Sequence, residues 1–105
     1  MFETDRQNEL EREISKGRSL VLFYAGWCPD CFAFMPKFNS LPALPKTRLA
    51  KARIDEDGNS MWGSFAIEVV PTVVLFENGK EKARSEETSH GACAKGMAKL
   101  LEKGK

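Results

Sequence analysis

Cys28 and Cys31 carry the most chemistry in this chain, set three positions apart in "GWCPDCF" with Pro29 and Asp30 between them. A thiol is a useful nucleophile only as its thiolate, and the free N–H groups at a helix N-terminus stabilise that anion. Pro29 suits a first helical position, where a missing N–H costs nothing. Cys28 then stands where a helix starts and Cys31 one turn later on the same face, within reach for a disulfide. So placed, Cys28 can attack a disulfide and Cys31 can resolve the mixed intermediate. The Cys-x-x-Cys spacing also serves zinc. His90 and Cys93 have His-x-x-Cys spacing, so Cys28, Cys31, His90 and Cys93 form an alternative four-ligand set. The apolar run ahead of the pair and the proline inside it tilt the balance to redox.

Those cysteines need elements to hold them. "SLVLFYA", Ser19 to Ala25, is a continuous apolar run of strand length between Gly17 and Gly26, the pattern of a strand covered on both faces. Ahead of it, Thr4 and Gln7 have capping-box spacing, which predicts a helix from about Asp5 that Gly17 stops. Pro36 falls inside the helix that follows the cysteines and should kink it. "TRLAKARID", Thr47 to Asp55, reads as a second strand, and Met61 to Ile67 as one or two helical turns. "PTVVLFENGKEKARS" is a hairpin with Asn78-Gly79 as a type I′ turn and a polar edge strand. A helix from Ser89 onward closes the chain. Strands alternating with helices, then a hairpin, argue an α/β fold: a central mixed β-sheet of about four strands, flanked by helices on both faces.

The 105 residues suit a single domain, 1–105, large enough to build a core without disulfide staples. Hydrophobic content is 42% and charged content 30%, and 16 basic against 15 acidic side chains leave a formal charge of +1. Nucleic acid and an anionic membrane are therefore not expected partners. No apolar run approaches the roughly 20 residues that span a bilayer. The charged opening "MFETDRQNELEREISKG" lacks the apolar middle of a secretory signal, so a cytoplasmic address is expected. Thiols stay reduced there, which makes a structural disulfide framework the wrong reading of three cysteines.

Four motifs in order are similar to one family. "WCPDC" resembles the W-C-x-x-C active site of thioredoxins, and Pro36 matches the proline that kinks their active-site helix. "VVPTVVLFENG" resembles the segment in which a cis-proline precedes their β-hairpin, with Pro71 as its counterpart. "HGA" at 90–92 is similar to the loop that closes their substrate groove. The resemblance covers nearly the whole chain and implies a thioredoxin fold and a thiol–disulfide oxidoreductase that reduces protein disulfides. It implies Cys28 as nucleophile, Cys31 as resolving thiol, and substrate docking on Trp27, Pro29, Val69, Val70, Pro71 and Gly91. It implies no bound cofactor and no metal, because the dithiol is the redox group. The partners it implies are protein disulfides and a reductase of the thioredoxin-reductase type as electron donor, with the protein acting as a monomer.

Departures from the family pattern are equally specific. The buried acid expected six residues before the first cysteine is Leu22, which leaves Lys51 without the partner it would have in the family. An unpaired buried ammonium is costly, so Lys51 should reach solvent or find another carboxylate. The family's N-terminal strand should be short or absent. Asp30, between the cysteines, is expected to raise the Cys28 pKa by charge repulsion and to relay the Cys31 proton. The Gly-Gly-x-Asp segment of glutaredoxins is missing, so a glutathione-linked activity is not expected. Cys93 should be a buried thiol outside turnover. The alternative function is a redox-inactive binding or chaperone module of the same fold.

Overall fold

The apolar run around Leu20 and Leu22 becomes the centre of a five-stranded sheet. In the computed structural model, which describes residues 2–41 and 46–86, the first half runs β1 (Phe2–Thr4), α1 (Gln7–Ile14), β2 (Arg18–Tyr24) and α2 (Pro29–Asn39). The second runs β3 (Thr47–Arg53), α3 (Met61–Ser64), β4 (Thr72–Glu77) and β5 (Lys80–Glu86). Sheet order is β1-β3-β2-β4-β5. Both β1 and β2 run parallel to β3, while β4 is antiparallel to β2 and β5. The helix expected from Ser89 onward, with His90, Gly91 and Cys93, falls outside the described residues.

Alternation along β2 explains why it is apolar from Leu20 to Phe23. Leu20, Leu22 and Tyr24 face one way, packing with Val73 and Leu75 against Cys31, Phe34 and Phe38 of α2. Val21 and Phe23 face the other way, packing with Val74 and Phe76 against Leu10 and Ile14 of α1 and Met61 of α3. A strand with a helix on each face has no polar side. Phe38 is completely buried, so its truncation to alanine would cost about 3–5 kcal/mol.

The strand count and the first helix differ from expectation. Five strands form rather than about four, because Phe2–Thr4 pairs with Ala50–Ala52 of β3. Thr4 is not a helix cap: it is buried in β1, and its hydroxyl accepts the Arg6 N–H at 3.0 Å and donates to the Glu9 carboxylate. The helix starts later, at Gln7, with no side chain capping it. A hydroxyl that bonds locally serves a strand end as readily as a helix start, so its spacing to Gln7 misled.

The hairpin forms as expected. Asn78 (φ 51°) and Gly79 (φ 83°) both take the left-handed conformation that a type I′ turn requires. Asn78 is tied to Gly17 on both sides: its N–H donates to the Gly17 carbonyl at 2.8 Å and its Oδ1 accepts the Gly17 N–H at 2.9 Å. β5 forms one edge of the sheet.

Candidate active site

The turn between β2 and α2 brings the cysteines to the end of the sheet. Cys28 caps α2, and Pro29 occupies the first turn as its ring geometry favours. Cys28 Sγ accepts the Cys31 N–H at 3.2 Å, so one of the helix's orphan donors points at this sulfur. Pro36 lies within α2, where it cannot donate to the carbonyl one turn back. Both cysteines are free thiols. Cys28 is 5% exposed and Cys31 is fully buried beneath it.

Burial sets the electrostatics of Cys31. Loss of hydration pushes its thiol well above the ordinary value, because the interior disfavours the thiolate. The contact with Cys28, the Cys28 charge and the Asp30 charge push the same way, against a hydrogen bond from the Ala25 backbone. The Asp30 charge thus disfavours the thiolate of Cys31, the deeper of the two thiols.

A second segment closes over the pair. The Cys28 thiol meets the Val70 carbonyl at 3.5 Å, and the Val70–Pro71 peptide is cis, as the resemblance implied. Thr72 Oγ1 donates to the Val69 carbonyl at 2.7 Å and holds that loop against β4. Val69 and Val70 are half-buried and Pro71 is buried. Trp27 is 58% exposed, and Pro29 and Asp30 are exposed beside it. Of the groove residues expected from the sequence, Trp27, Pro29, Val69, Val70 and Pro71 come together around Cys28. Gly91 lies outside the described residues, as do His90 and Cys93 of the alternative zinc set.

Asp55 escaped the sequence reading, where it was only the end of a strand. Its carboxylate accepts the Gly26 N–H at 2.5 Å and the Arg53 Nε–H at 2.8 Å. Its backbone carbonyl accepts the Trp27 indole N–H at 2.7 Å. One residue therefore fixes both the turn that leads into Cys28 and the tryptophan beside it. The Gly26 N–H, then Arg53, hold the Asp55 carboxyl below its ordinary range against the cost of burial. Gly26 lets the turn pack close: a Cβ there would displace the Arg53 guanidinium and sit 3.0 Å from Asp55 Oδ2.

Glu3 was also missed, for want of any local signal. Lys51 lies level with Leu22 in the β2–β3 ladder, so the sheet offers it no acid there. It pairs instead with Glu3 of β1, at 3.4 Å, and bonds Asn39 Oδ1 at 3.2 Å. The expectation of another carboxylate is met. Among the described residues, no group of three or more metal-ligating side chains is assembled.

This geometry has counterparts among known proteins. The family model described as Thioredoxin matches residues 2–102. The chain belongs to the thioredoxin family. A thioredoxin from Chlamydia trachomatis is 31% identical over 86 residues, covering 81% of this chain and 83% of that one. The solved thioredoxin of Fasciola hepatica superposes with a TM-score of 0.79 at 28% identity, over the full length of both chains. A Mycobacterium leprae protein named bifunctional thioredoxin reductase/thioredoxin is 32% identical over 83 residues, 78% of this chain and 17% of that protein. The fold is the thioredoxin fold, and the activity is that of a thiol–disulfide oxidoreductase.

Proposed function

We propose that this protein reduces disulfides in other proteins, with Cys28 attacking and Cys31 resolving. The Cys28 thiolate attacks one sulfur of the substrate disulfide; that S–S bond breaks, and the departing substrate thiolate takes up a proton. Cys31 then loses its proton and attacks Cys28 Sγ, releasing the second substrate thiol. The substrate gains two electrons and two protons, and the protein is left with a Cys28–Cys31 disulfide. One observation carries this reading: a cysteine at the N-cap of α2 accepts the N–H of the second cysteine, whose buried thiol lies directly behind it.

Trp27, Pro29, Val69, Val70, Pro71 and Gly91 form the docking platform in this reading. Asp30 tunes the resolving thiol. A reductase of the thioredoxin-reductase type returns the electrons, and the Mycobacterium leprae relative, whose name joins the two activities in one protein, supports that choice of donor. The family match over residues 2–102 supports a single domain. A cytoplasmic address fits the chemistry, since a reducing compartment keeps such thiols available, and we assign the working form as a monomer. Among the described residues no helix is long and apolar enough to cross a membrane.

Insulin reduction with dithiothreitol as electron source tests the assignment. Wild-type protein should accelerate precipitation of the insulin B chain, and Cys28→Ser should return the rate to that of dithiothreitol alone. An unaccelerated wild-type reaction would favour the redox-inactive binding module.

A further inference from the structure

Phe32 is an aromatic side chain that the core does not use. It is 54% exposed on α2, and with Trp27 it makes up the large exposed hydrophobic residues among the described ones. Both flank the nucleophile: Trp27 directly precedes Cys28, and the Phe32 N–H donates to the Cys28 carbonyl at 3.3 Å. Helical side chains lean toward the N-terminus and cover the turn before their own Cα, so the Phe32 ring lies toward the turn that carries Cys28. Leaving two large side chains exposed next to the same cysteine forfeits burial that a partner would recover. Their place beside the dithiol makes that partner the substrate itself.

Charge narrows the partner further. Asp30 and Glu68, both exposed, stand on the two segments that meet at the Cys28–Val70 contact. On the Trp27 side the exposed Glu56 and Asp57 follow Asp55, whose own charge is met by Arg53. An acidic segment approaching Cys28 meets like charge, and a basic one meets opposite charge.

Resting on the reductase reading above, we infer that Phe32 is a specificity-determining residue. It selects protein disulfides whose attacked cysteine has an apolar neighbour, in a segment with a basic residue just beyond it. Trp27 is pinned by its bond to the Asp55 carbonyl, whereas Phe32 stands on a helix of fixed direction. The two present an apolar contact that needs little ordering on binding.

Model peptides with one disulfide to a common leaving thiol test this, with Leu or Ser beside the attacked cysteine and Lys or Glu outside it. Wild-type protein should reduce the Leu–Lys peptide with a kcat/KM about tenfold above that of the Ser–Lys peptide, the scale of one well-placed apolar contact. In Phe32→Ser that ratio should fall to about twofold or less, and in Phe32→Leu it should be largely kept. Because each ratio is taken within one variant, a general change in reactivity cancels. Exchanging the outer Lys for Glu should slow the wild type several-fold at low salt, a gap that narrows at high salt. An active reductase that treats Leu and Ser alike, keeps its preference in Phe32→Ser, or ignores the outer charge overturns the inference alone. A wild-type protein that reduces none of the peptides overturns the reductase reading, and the inference with it.

Discussion

Lys51 Nζ lies 3.4 Å from Glu3 Oε1, so a residue of the short edge strand β1 supplies the carboxylate that position 22 does not. The other oxygen of the same carboxylate accepts the Tyr24 hydroxyl at 2.9 Å. Glu3 thus ties β1 to both inner strands, β2 and β3. Its side chain is 42% exposed, which limits the strength of the pair. Glu3→Gln should lower unfolding stability by about 1 kcal/mol or less, with the loss shrinking in high salt. Denaturant titrations at two salt concentrations check this; an equal loss at both would mean that packing, not charge, is at stake.

Tyr24 is the chain's 1 tyrosine, so its titration is visible without assignment. Burial first, then the hydrogen bond to and charge of Glu3, push its pKa up from 10.0 to about 12. A raised acid pKa means that folding favours the neutral phenol. The resulting stability is fully present below pH 10 and is lost as pH rises from there towards about 12. Phenolate absorbance should show a midpoint near 12 in the folded protein and near 10 in denaturant. A folded-state midpoint near 10 would contradict the burial of this hydroxyl.

Cys31 should stay protonated well above the ordinary thiol value of 9.0, because burial dominates its environment. Alkylation at pH 8 followed by peptide mapping should therefore mark Cys28 before Cys31. Asp30 adds the smallest of the named contributions in the same direction, so Asp30→Asn should lower the Cys31 pKa only slightly. Release from a mixed disulfide at neutral pH should then speed up by about threefold at most. Slower release in Asp30→Asn would instead assign Asp30 the proton-relay role.

Asp55→Ala removes the acceptor for the Gly26 N–H and for Arg53 at once. Partial exposure weakens both bonds, and a loss of about 1 kcal/mol is expected at neutral pH. Because folding holds this carboxyl below its ordinary 3.8, its contribution is present above that pH and fades as pH falls through the folded value. Wild type and variant should therefore converge in stability in strong acid, by thermal melts across pH. A gap that persists there would point to the backbone turn rather than the charge.

The order of buried strands and the dithiol site were legible because each rests on local chemistry. The apolar run at 19–25 admits little but a central strand, and Asn78-Gly79 little but a tight turn. What the sequence hid is what depends on distant pairing. β1 is only three residues long and gains its identity from β3, far along the chain. Asp55 looks like any acid at a strand end until β2 and β3 pair and set it against Gly26. Glu3 shows nothing locally of its contact with Lys51, although the lack of an acid at Leu22 did signal that Lys51 needed one. Phe32 carries no local mark that separates it from the apolar residues around it, and only the facing of α2 turns it outward.

The central claim is that Cys28 attacks and Cys31 releases, and trapping measures it most directly. Cys31→Ser protein incubated with an oxidised protein substrate should accumulate a covalent adduct that dithiothreitol dissolves, with mass spectrometry placing the bond on Cys28. The wild type should accumulate almost none and should end as the Cys28–Cys31 disulfide. An adduct on any residue other than Cys28, or equal accumulation in the wild type and Cys31→Ser, would contradict the assignment.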